Sequence, residues 1–221
     1  MREKKSGNEP RIVAIDGPAG AGKSTLARLI AEHLGLERLD TGAMYRSVAY
    51  SALAEGIDPA DAPAVAKLAR DLVLEVGESV TVNGVDVTEA IRTPDVDEAV
   101  SIVAANPEVR AEMVERLRAW VAERHGGVVE GRDIGTVVLP DAQLKVYLTA
   151  STDERARRRA RERGVRHLHE VSAALSLRDR LDSTRATSPL PAPEEAAADA
   201  MVIDSTNREA NDVLEEVLTW L

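Results

Sequence analysis

The stretch GPAGAGKST, residues 17–25, constrains the fold of this chain more than any other part of the sequence. It satisfies the phosphate-binding pattern G-x-x-x-x-G-K-[ST] with Gly17, Gly22, Lys23 and Ser24. In such a loop the backbone N–H groups wrap phosphate oxygens, the lysine reaches the β- and γ-phosphates, and the hydroxyl holds Mg²⁺. An apolar run precedes the loop and a helical pattern follows it, as phosphate binding at a helix N-terminus requires. The alternative to phosphate binding is a purely structural, glycine-rich turn before a helix.

Beyond the loop, the hydrophobic pattern predicts an α/β fold with a mostly parallel central sheet and helices on both faces, because short buried-strand runs alternate with helical patterns. The predicted strands are 12–16, 36–40, GVVEG, LKVYLTA and AMVID. The main predicted helices are KSTLARLIAEHL, 41–56, TPDVDEAVSIVAA and NPEVRAEMVERLRAWVAERHG. Residues 72–88 change to near alternation around Asn83-Gly84, which predicts a small antiparallel hairpin. The proline-rich stretch 189–200 is predicted to be an exposed loop.

Composition excludes several classes of protein. The formal net charge is -10, which argues against a general affinity for nucleic acid or anionic membranes. The chain has no cysteine, and His167 and His169 lack the further ligands that a metal site needs. Residues 1–9 are polar without an apolar segment, and no run is long enough to span a membrane. We therefore expect a cytoplasmic protein, most simply a monomer, that acts on small molecules.

Among nucleotide-binding classes, a GTPase would need a guanine-reading N-K-x-D, and the chain contains no Asn-Lys pair. A motor-type ATPase would carry an apolar strand that ends in adjacent acids, and no candidate strand does so. A compact phosphotransferase is the class that is left. Glu130, at the end of GVVEG, either holds a Mg²⁺-bound water or merely ends a strand.

Four further motifs follow in order: D-[ST]-G-x-x-Y-R at 40–46, S-x-V-A-x-x-P-x-V-R at 101–110, G-R-D-x-G-T at 131–136 and R-D-x-x-D-x-x-R-x-x-x-P-L at 178–190. With this set the chain resembles the nucleoside monophosphate kinase family, and within it the bacterial cytidylate kinases, from residue 11 to 221. The hairpin insert is also typical of those bacterial enzymes. The resemblance implies a P-loop nucleoside monophosphate kinase fold with a small antiparallel insert and a helical lid.

The resemblance also implies a domain organisation and a reaction. After a tail at 1–9, residues 10–221 would form a single kinase domain with an acceptor-binding insert at 58–98 and a lid at 151–168. The reaction would be direct in-line transfer of phosphoryl from ATP to CMP or dCMP with Mg²⁺. No general base is expected, because a phosphate monoester with a second pKa of about 6 is already ionised at neutral pH.

The implied site residues fall into overlapping sets. The ATP set is Gly17, Pro18, Ala19, Gly20, Ala21, Gly22, Lys23, Ser24, Thr25, Arg155 and Arg159, with Ser24 as the Mg²⁺ ligand. The CMP set is Thr41, Tyr45, Arg46, Ser101, Arg110, Arg132, Asp133, Arg178, Asp182 and Arg185. The residues implied to be catalytic are Lys23, Arg132, Arg178 and Arg185.

By similarity, Asp133 and Ser101 would face the N4 amino group of cytosine, and Arg110 would face N3 and O2. Thr41 and Asp182 would lie near the ribose hydroxyls. The residues implied near the acceptor phosphate are Tyr45, Arg46, Arg132, Arg178 and Arg185.

Structural interpretations of the same residues stay open at this point. Tyr45 would serve equally as core packing, and Arg110 as a surface residue of a charged helix. Asp182 and Arg185 have the spacing of an ordinary helical ion pair. The seven arginines between 155 and 166 would also suit a solvated helix or a nucleic-acid patch.

Two other functions are weighed against CMP phosphorylation. One is a small-molecule kinase acting on UMP, AMP or shikimate, which Asp133 and the hairpin insert disfavour. The other is a nucleotide-binding regulatory protein without turnover. Lys23, Ser24 and the arginine cluster disfavour it, because a mere binder has no need of an arginine-lined acceptor pocket.

Overall fold

A computed structural model describes residues 11–165, 167–196 and 198–220 of the chain. The predicted tail at 1–9 and Arg166 of the arginine run lie outside the described residues. The strands are β1 (Arg11–Asp16), β2 (Arg38–Asp40), β3 (Leu74–Val76), β4 (Val80–Val82), β5 (Val85–Asp86), β6 (Gly126–Glu130), β7 (Leu144–Thr149) and β8 (Met201–Asp204). The α-helices are α1 (Lys23–Leu34), α2 (Thr41–Ala54), α3 (Ala62–Asp71), α4 (Pro94–Ala105), α5 (Pro107–Glu123), α6 (Thr152–Arg163), α7 (Leu168–Thr184) and α8 (Ala210–Leu218).

The central sheet has five strands in the order β2-β6-β1-β7-β8, and every neighbouring pair is parallel. This confirms the predicted parallel α/β fold. The register pairs Ile15 of β1 and Asp40 of β2 with Glu130 of β6. The carboxyl ends of β1, β2 and β6 therefore meet at one edge of the sheet, and their last residues are Asp16, Asp40 and Glu130.

The two faces of the sheet bury alternate residues of the same strands, as the strand period of two dictates. In β1, Val13 and Ile15 belong to a core shared with α1 and α8, whereas Ala14 belongs to a larger core shared with α2 to α5. Helices α6 and α7 have a small apolar cluster of their own, which includes Ala156 and Leu175. Helix α6 of the predicted lid therefore packs against α7 and against Ala19 of the phosphate-binding loop.

The hairpin prediction is confirmed, because β3, β4 and β5 form a second, antiparallel sheet. Asn83 (φ 51°) and Gly84 (φ 77°) both adopt the positive φ angles that a two-residue hairpin turn requires.

Two segments differ from their predictions. Helix α3 was not predicted, although Asp61 caps it by accepting from the N–H of Ala64 and Pro63 lies in its first turn. The stretch 189–200 is not exposed throughout: Leu190 is buried, and its N–H donates to the carbonyl oxygen of Asp182 at 2.8 Å. Within the described ranges, no helix has both the length and the apolar character needed to cross a bilayer.

Candidate active site

The phosphate-binding loop joins β1 to α1 and is held tightly against the neighbouring strand β7. Gly17 has a φ of +141°, and a Cβ built there would lie 2.0 Å from the carbonyl oxygen of Leu148. Only glycine allows this approach. Gly22, with a φ of 95°, is the N-cap of α1, so the loop delivers the backbone N–H groups of the first helical turn to one point.

Lys23 is buried in the first turn of α1, and its Nζ donates to the carbonyl oxygen of Pro18 at 2.7 Å. Burial lowers the pKa of its ammonium, and the neighbouring Arg132 lowers it further. A buried cation beside another cation favours binding of an anion, which compensates both charges.

Glu130 connects the loop to the end of the sheet. Its Oε2 accepts from the Ser24 hydroxyl at 2.9 Å, and its backbone carbonyl accepts from the Thr41 hydroxyl at 2.7 Å. Burial raises the pKa of the Glu130 carboxyl, and the nearby Asp40 adds to the rise. In the part of the chain that the structure describes, the Oε1 atom of Glu130 is buried without a hydrogen-bond partner, so an acceptor beside the Ser24 hydroxyl is left for a cation.

Asp16, the last residue of β1, fixes the segment after β6. Its carboxylate accepts from the backbone N–H groups of Ile134 and Gly135, each at 2.7 Å. These contacts begin a π-helical turn, Ile134–Val138, directly after Arg132 and Asp133. Burial raises the pKa of Asp16 to about 6, against the lowering effect of the two N–H groups.

Arg132 links the phosphate-binding loop to α7. Its Nε donates to Asp182 at 2.9 Å, and its Nη1 donates to the carbonyl oxygen of Gly17 at 3.1 Å. Charge attraction from Arg132 lowers the pKa of Asp182 despite the opposing effect of burial. The guanidinium therefore lies between the loop and the residues predicted to contact the acceptor.

Asp133 lies between two arginines. Arg110 of α5 donates from Nη2 to Oδ2 of Asp133, and Nη2 of Arg185 lies 3.6 Å from Oδ1. The guanidinium carbon of Arg110 lies 5.8 Å from the ring centre of Tyr45, within the range of a cation–π contact. Arg110 is buried at 4% exposure, so the surface interpretation weighed for this residue does not describe the structure.

A third cluster surrounds Asp97 in the first turn of α4, a residue that the sequence did not single out. Its carboxylate pairs with Arg46 of α2, Arg159 of α6 and Arg178 of α7. Three arginines from two predicted binding sets thus share one carboxylate.

The first turns of α6 lie against the phosphate-binding loop. Arg155 donates to the carbonyl oxygen of Ala19 at 3.2 Å and pairs with Asp179 of α7. Arg158, which was not predicted, donates to the carbonyl oxygen of Ala21 at 3.2 Å and to that of Ser205 at 2.7 Å. The arginines of α6 are therefore not simply a solvated charge run.

Two adjoining cavities collect most of the predicted residues. The cleft, of about 530 Å³, is lined among others by Ala19, Gly20, Lys23, Ser24, Arg46, Ser101, Arg132, Arg159 and Arg178. The inner pocket, of about 50 Å³, is lined among others by Thr41, Tyr45, Ser101, Arg110, Arg132, Asp133, Arg178, Asp182 and Arg185. Ser101, Arg132 and Arg178 line both cavities, so the two spaces meet at these side chains.

Some predicted residues lie outside the linings, namely Gly17, Pro18, Ala21, Gly22, Thr25 and Arg155. Other lining residues were missed, notably Asp40 and Asp97. Asp40 had a readable signal, since it precedes the predicted helix at 41–56 and caps it by accepting from the N–H of Ala43.

Unsatisfied donors point to the charge of the ligand. Arg178 Nε and Arg185 Nη2 are buried without a hydrogen-bond partner among the described residues, and both residues line the inner pocket. Buried guanidinium donors without acceptors are costly, and a phosphate supplies several acceptors at once. The inner pocket and its junction with the cleft are therefore suited to a phosphorylated molecule.

Comparison with known proteins gives relatives along nearly the whole chain. Residues 13–221 match the family described as cytidylate kinase. A cytidylate kinase of Geobacillus kaustophilus is 49% identical over 215 residues, which cover 93% of this chain and 94% of that protein. One from Pelotomaculum thermopropionicum is 47% identical over 216 residues and covers 93% of both chains. A solved gluconokinase structure from Sinorhizobium meliloti has a TM-score of 0.52 at 16% identity, covering 96% of this chain and 91% of that one, and shows likeness of fold alone.

Proposed function

Because the chain belongs to the cytidylate kinase family, we propose that it transfers the γ-phosphoryl group of ATP to CMP and dCMP, giving ADP with CDP or dCDP. The observation that carries this function is the buried Arg110–Asp133 pair in the wall of the inner pocket, next to a cleft that contains Lys23. The inner pocket is suited to reading a base, and the cleft together with its junction to the inner pocket is suited to holding phosphates.

Cytosine presents an amino donor at N4 and acceptors at N3 and O2. The Asp133 carboxylate, with Ser101 beside it, would accept from N4, and the Arg110 guanidinium would donate to N3 and O2. Uracil would place a carbonyl against the carboxylate of Asp133. A buried mismatch of this kind costs about 1–3 kcal/mol, which gives a clear preference for cytosine without absolute exclusion of uracil.

Residues of the same pocket and of its junction with the cleft would contact the ribose and the phosphate of CMP. Thr41 and Asp182 are assigned to the ribose hydroxyls. The acceptor phosphate is assigned to Tyr45, Arg46, Arg132, Arg178 and Arg185. Support comes from the buried donors of Arg178 and Arg185 that have no hydrogen-bond partner among the described residues, and from the position of Arg132 between Asp182 and Gly17.

The chemical problem is repulsion between two polyanions that must approach in line. Lys23 would position the donor phosphates and stabilise the charge that develops on the transferred group, while Arg132, Arg178 and Arg185 would do the same on the acceptor side. The acceptor oxygen is ionised at neutral pH and needs no base, since the second pKa of a phosphate monoester is about 6.

Mg²⁺ fits the remaining part of the site. Ser24 would hold it, with the unpartnered Oε1 of Glu130 beside the hydroxyl. When bound, the ion would offset part of the phosphate charge. Glu130 is thereby proposed as a neighbour of the metal rather than as a strand end alone.

We assign residues 151–168 to a lid and 58–98 to an acceptor-binding insert within one kinase domain at 10–221. Arg155 and Arg159 of the lid would approach ATP, together with the loop residues 17–25, and the closed lid would exclude water. Small molecules would be the only partners, and a cytoplasmic monomer stays a prediction.

The test is ADP formation from ATP and Mg²⁺ with CMP, dCMP, UMP, AMP and shikimate offered separately. We expect fast turnover with CMP and dCMP, weak turnover with UMP, and loss of activity when the metal is chelated. Turnover with another acceptor alone would overturn the roles given to Ser101, Arg110 and Asp133. No turnover with any acceptor would favour the regulatory binder.

A further inference from the structure

Asp97 occupies a position that no substrate role explains. It lines the cleft from the first turn of α4, and its side chain is 15% exposed. Arg159 donates to Oδ2 at 2.8 Å, Arg178 donates to Oδ1 at 3.3 Å, and Arg46 pairs with the same Oδ1. The three arginines come from α2, α6 and α7, so one carboxylate connects three separate elements.

The surroundings of Asp97 are strongly positive. Burial, together with the neighbouring Arg132 and Arg46, lowers the pKa of Arg178 to about 9. Burial likewise lowers the pKa of Arg46 to about 10, and Arg159 contributes to that change. An anion at this point relieves the mutual repulsion of the guanidinium groups.

The Asp97 carboxylate and the acceptor phosphate would then need the same guanidinium donors. Asp97 takes Nη1 of Arg178 and Nη2 of Arg46, whereas the proposed phosphate site needs the guanidinium groups of both residues. A guanidinium has five N–H donors in a fixed fork, and Arg46 already gives Nη1 to the carbonyl oxygen of Ile91 at 3.3 Å. Arg178 Nε stays open to a phosphate, but a phosphate that also engages the Nη donors facing Asp97 must displace the carboxylate or share those donors with it.

We propose that Asp97 is a positioning residue that competes with the acceptor phosphate for Arg46 and Arg178. Because the same carboxylate also pairs with Arg159 of the lid, this competition changes the charge around Arg159 as well. The proposal rests on the assignment of Arg46 and Arg178 to that phosphate. Arrival of the nucleotide frees Oδ1 of Asp97 from the acceptor arginines, whereas Oδ2 keeps its contact with Arg159 of the lid. Acceptor binding is thereby linked to the position of α6.

The test is equilibrium binding of CMP and of cytidine, which lacks the phosphate, measured by calorimetry on the full chain without ATP. Asp97→Asn keeps the shape of the side chain and removes its charge, and Asp97→Ser is a second neutral variant. We expect both to bind CMP about tenfold more tightly than the unsubstituted protein, because a charged hydrogen-bonding competitor is removed, and to bind cytidine unchanged.

Asp95→Asn is the matched control, since Asp95 is exposed in the same helical turn and its substitution changes the net charge equally. We expect it to leave both affinities within twofold. A general change in the electrostatic field would instead tighten CMP binding in all three variants, and would overturn the proposal.

The remaining outcomes separate this proposal from the function itself. If the unsubstituted protein binds cytidine as tightly as CMP, the phosphate assignment fails and the proposal falls with it. If that protein prefers CMP but the Asp97 variants bind CMP equally or more weakly, only the role of Asp97 is overturned. Equal tightening toward CMP and cytidine also overturns it, and so does failure of both neutral variants to fold, since Asp97 would then be a structural counter-ion.

Discussion

The guanidinium of Arg110 donates to the carboxylate of Asp133 where the two side chains are only 5% and 6% exposed. A buried pair of this kind is weak evidence for stability, because desolvation offsets much of the attraction. Its geometry, however, presents a fork of donors next to an acceptor inside a small pocket. That arrangement complements the edge of cytosine, and the first prediction tests it.

Asp133→Asn is expected to lower kcat/KM for CMP by about 10- to 100-fold, because the amide offers a donor where N4 of cytosine needs an acceptor. ATP affinity is expected to stay within about twofold, since the cleft residues that face the donor are unchanged. Steady-state kinetics with CMP and separate titration of ATP measure the two effects. Asp141→Asn, at an exposed position on the loop before β7, is the matched control and should leave both unchanged. Equal losses for CMP and ATP would remove the base-reading role of Asp133.

Lys23→Ala is expected to reduce kcat by at least about 10²- to 10³-fold, because a charge that stabilises the transferred phosphoryl group is lost. CMP binding, measured by calorimetry, should survive, since Lys23 lines the cleft but not the inner pocket. Lys67→Ala removes a lysine that is exposed on α3 and serves as the control. Retained turnover in the Lys23 variant would contradict the phosphate-binding assignment of the loop.

The unfolding free energy should depend on pH through Asp16. Its pKa is raised from 3.8 to about 6 in the folded protein, so it stabilises the fold fully below about pH 4, and this stabilisation is lost as the pH rises through 6. Asp16→Asn does not titrate there. The difference in unfolding free energy between the original protein and the variant should therefore fall by about 2–3 kcal/mol from pH 4 to pH 7. Denaturant unfolding at several pH values measures it, and a constant difference would show that Asp16 keeps its ordinary pKa.

Gly17→Ala should destabilise the protein by at least about 3 kcal/mol, because its Cβ would overlap the backbone of Leu148 in addition to the strain of positive φ. Gly35→Ala isolates the strain alone: Gly35 has a φ of +65°, but a Cβ there meets no atom of the described residues within 4 Å. Its expected cost is about 1 kcal/mol. Thermal and denaturant unfolding of both variants gives the comparison. Similar losses would mean that Leu148 moves aside and that the loop is less tightly held than the structure indicates.

Local sequence patterns predicted the elements whose start and end depend on neighbouring residues. Helix α1 begins at Lys23 and ends at Leu34 as predicted, because the phosphate-binding motif marks its start and Gly35 its end. Helix α3 was missed because it is only 10 residues long and no motif frames it, although Asp61 and Pro63 are ordinary start signals. The π-helical turn Ile134–Val138 was beyond prediction, since it depends on the Asp16 carboxylate, which lies far away in the sequence.

The candidate site likewise contains residues that sequence motifs identify and residues that only the tertiary fold brings together. Family motifs identified most of the residues that line the inner pocket, including Arg110, which periodicity alone would place on the surface. They did not identify Asp97 or Arg158, whose contacts join helices that only the tertiary fold brings together. Charge counting along α6 could not indicate which arginines turn toward the phosphate-binding loop.

The residue that follows the last strand contacts the phosphate-binding loop near the start of the chain. Directly after β8, the Ser205 hydroxyl donates to the carbonyl oxygens of Ala21 and Thr149, each at 3.0 Å, and Arg158 donates to the same serine. Every proposed substrate contact lies before residue 186, yet the phosphate-binding loop is braced by a residue near the C-terminus. The loop that begins at Gly17 is therefore completed only when β8 has joined the sheet, and loss of the Ser205 hydroxyl is expected to weaken nucleotide binding although every proposed contact residue is retained.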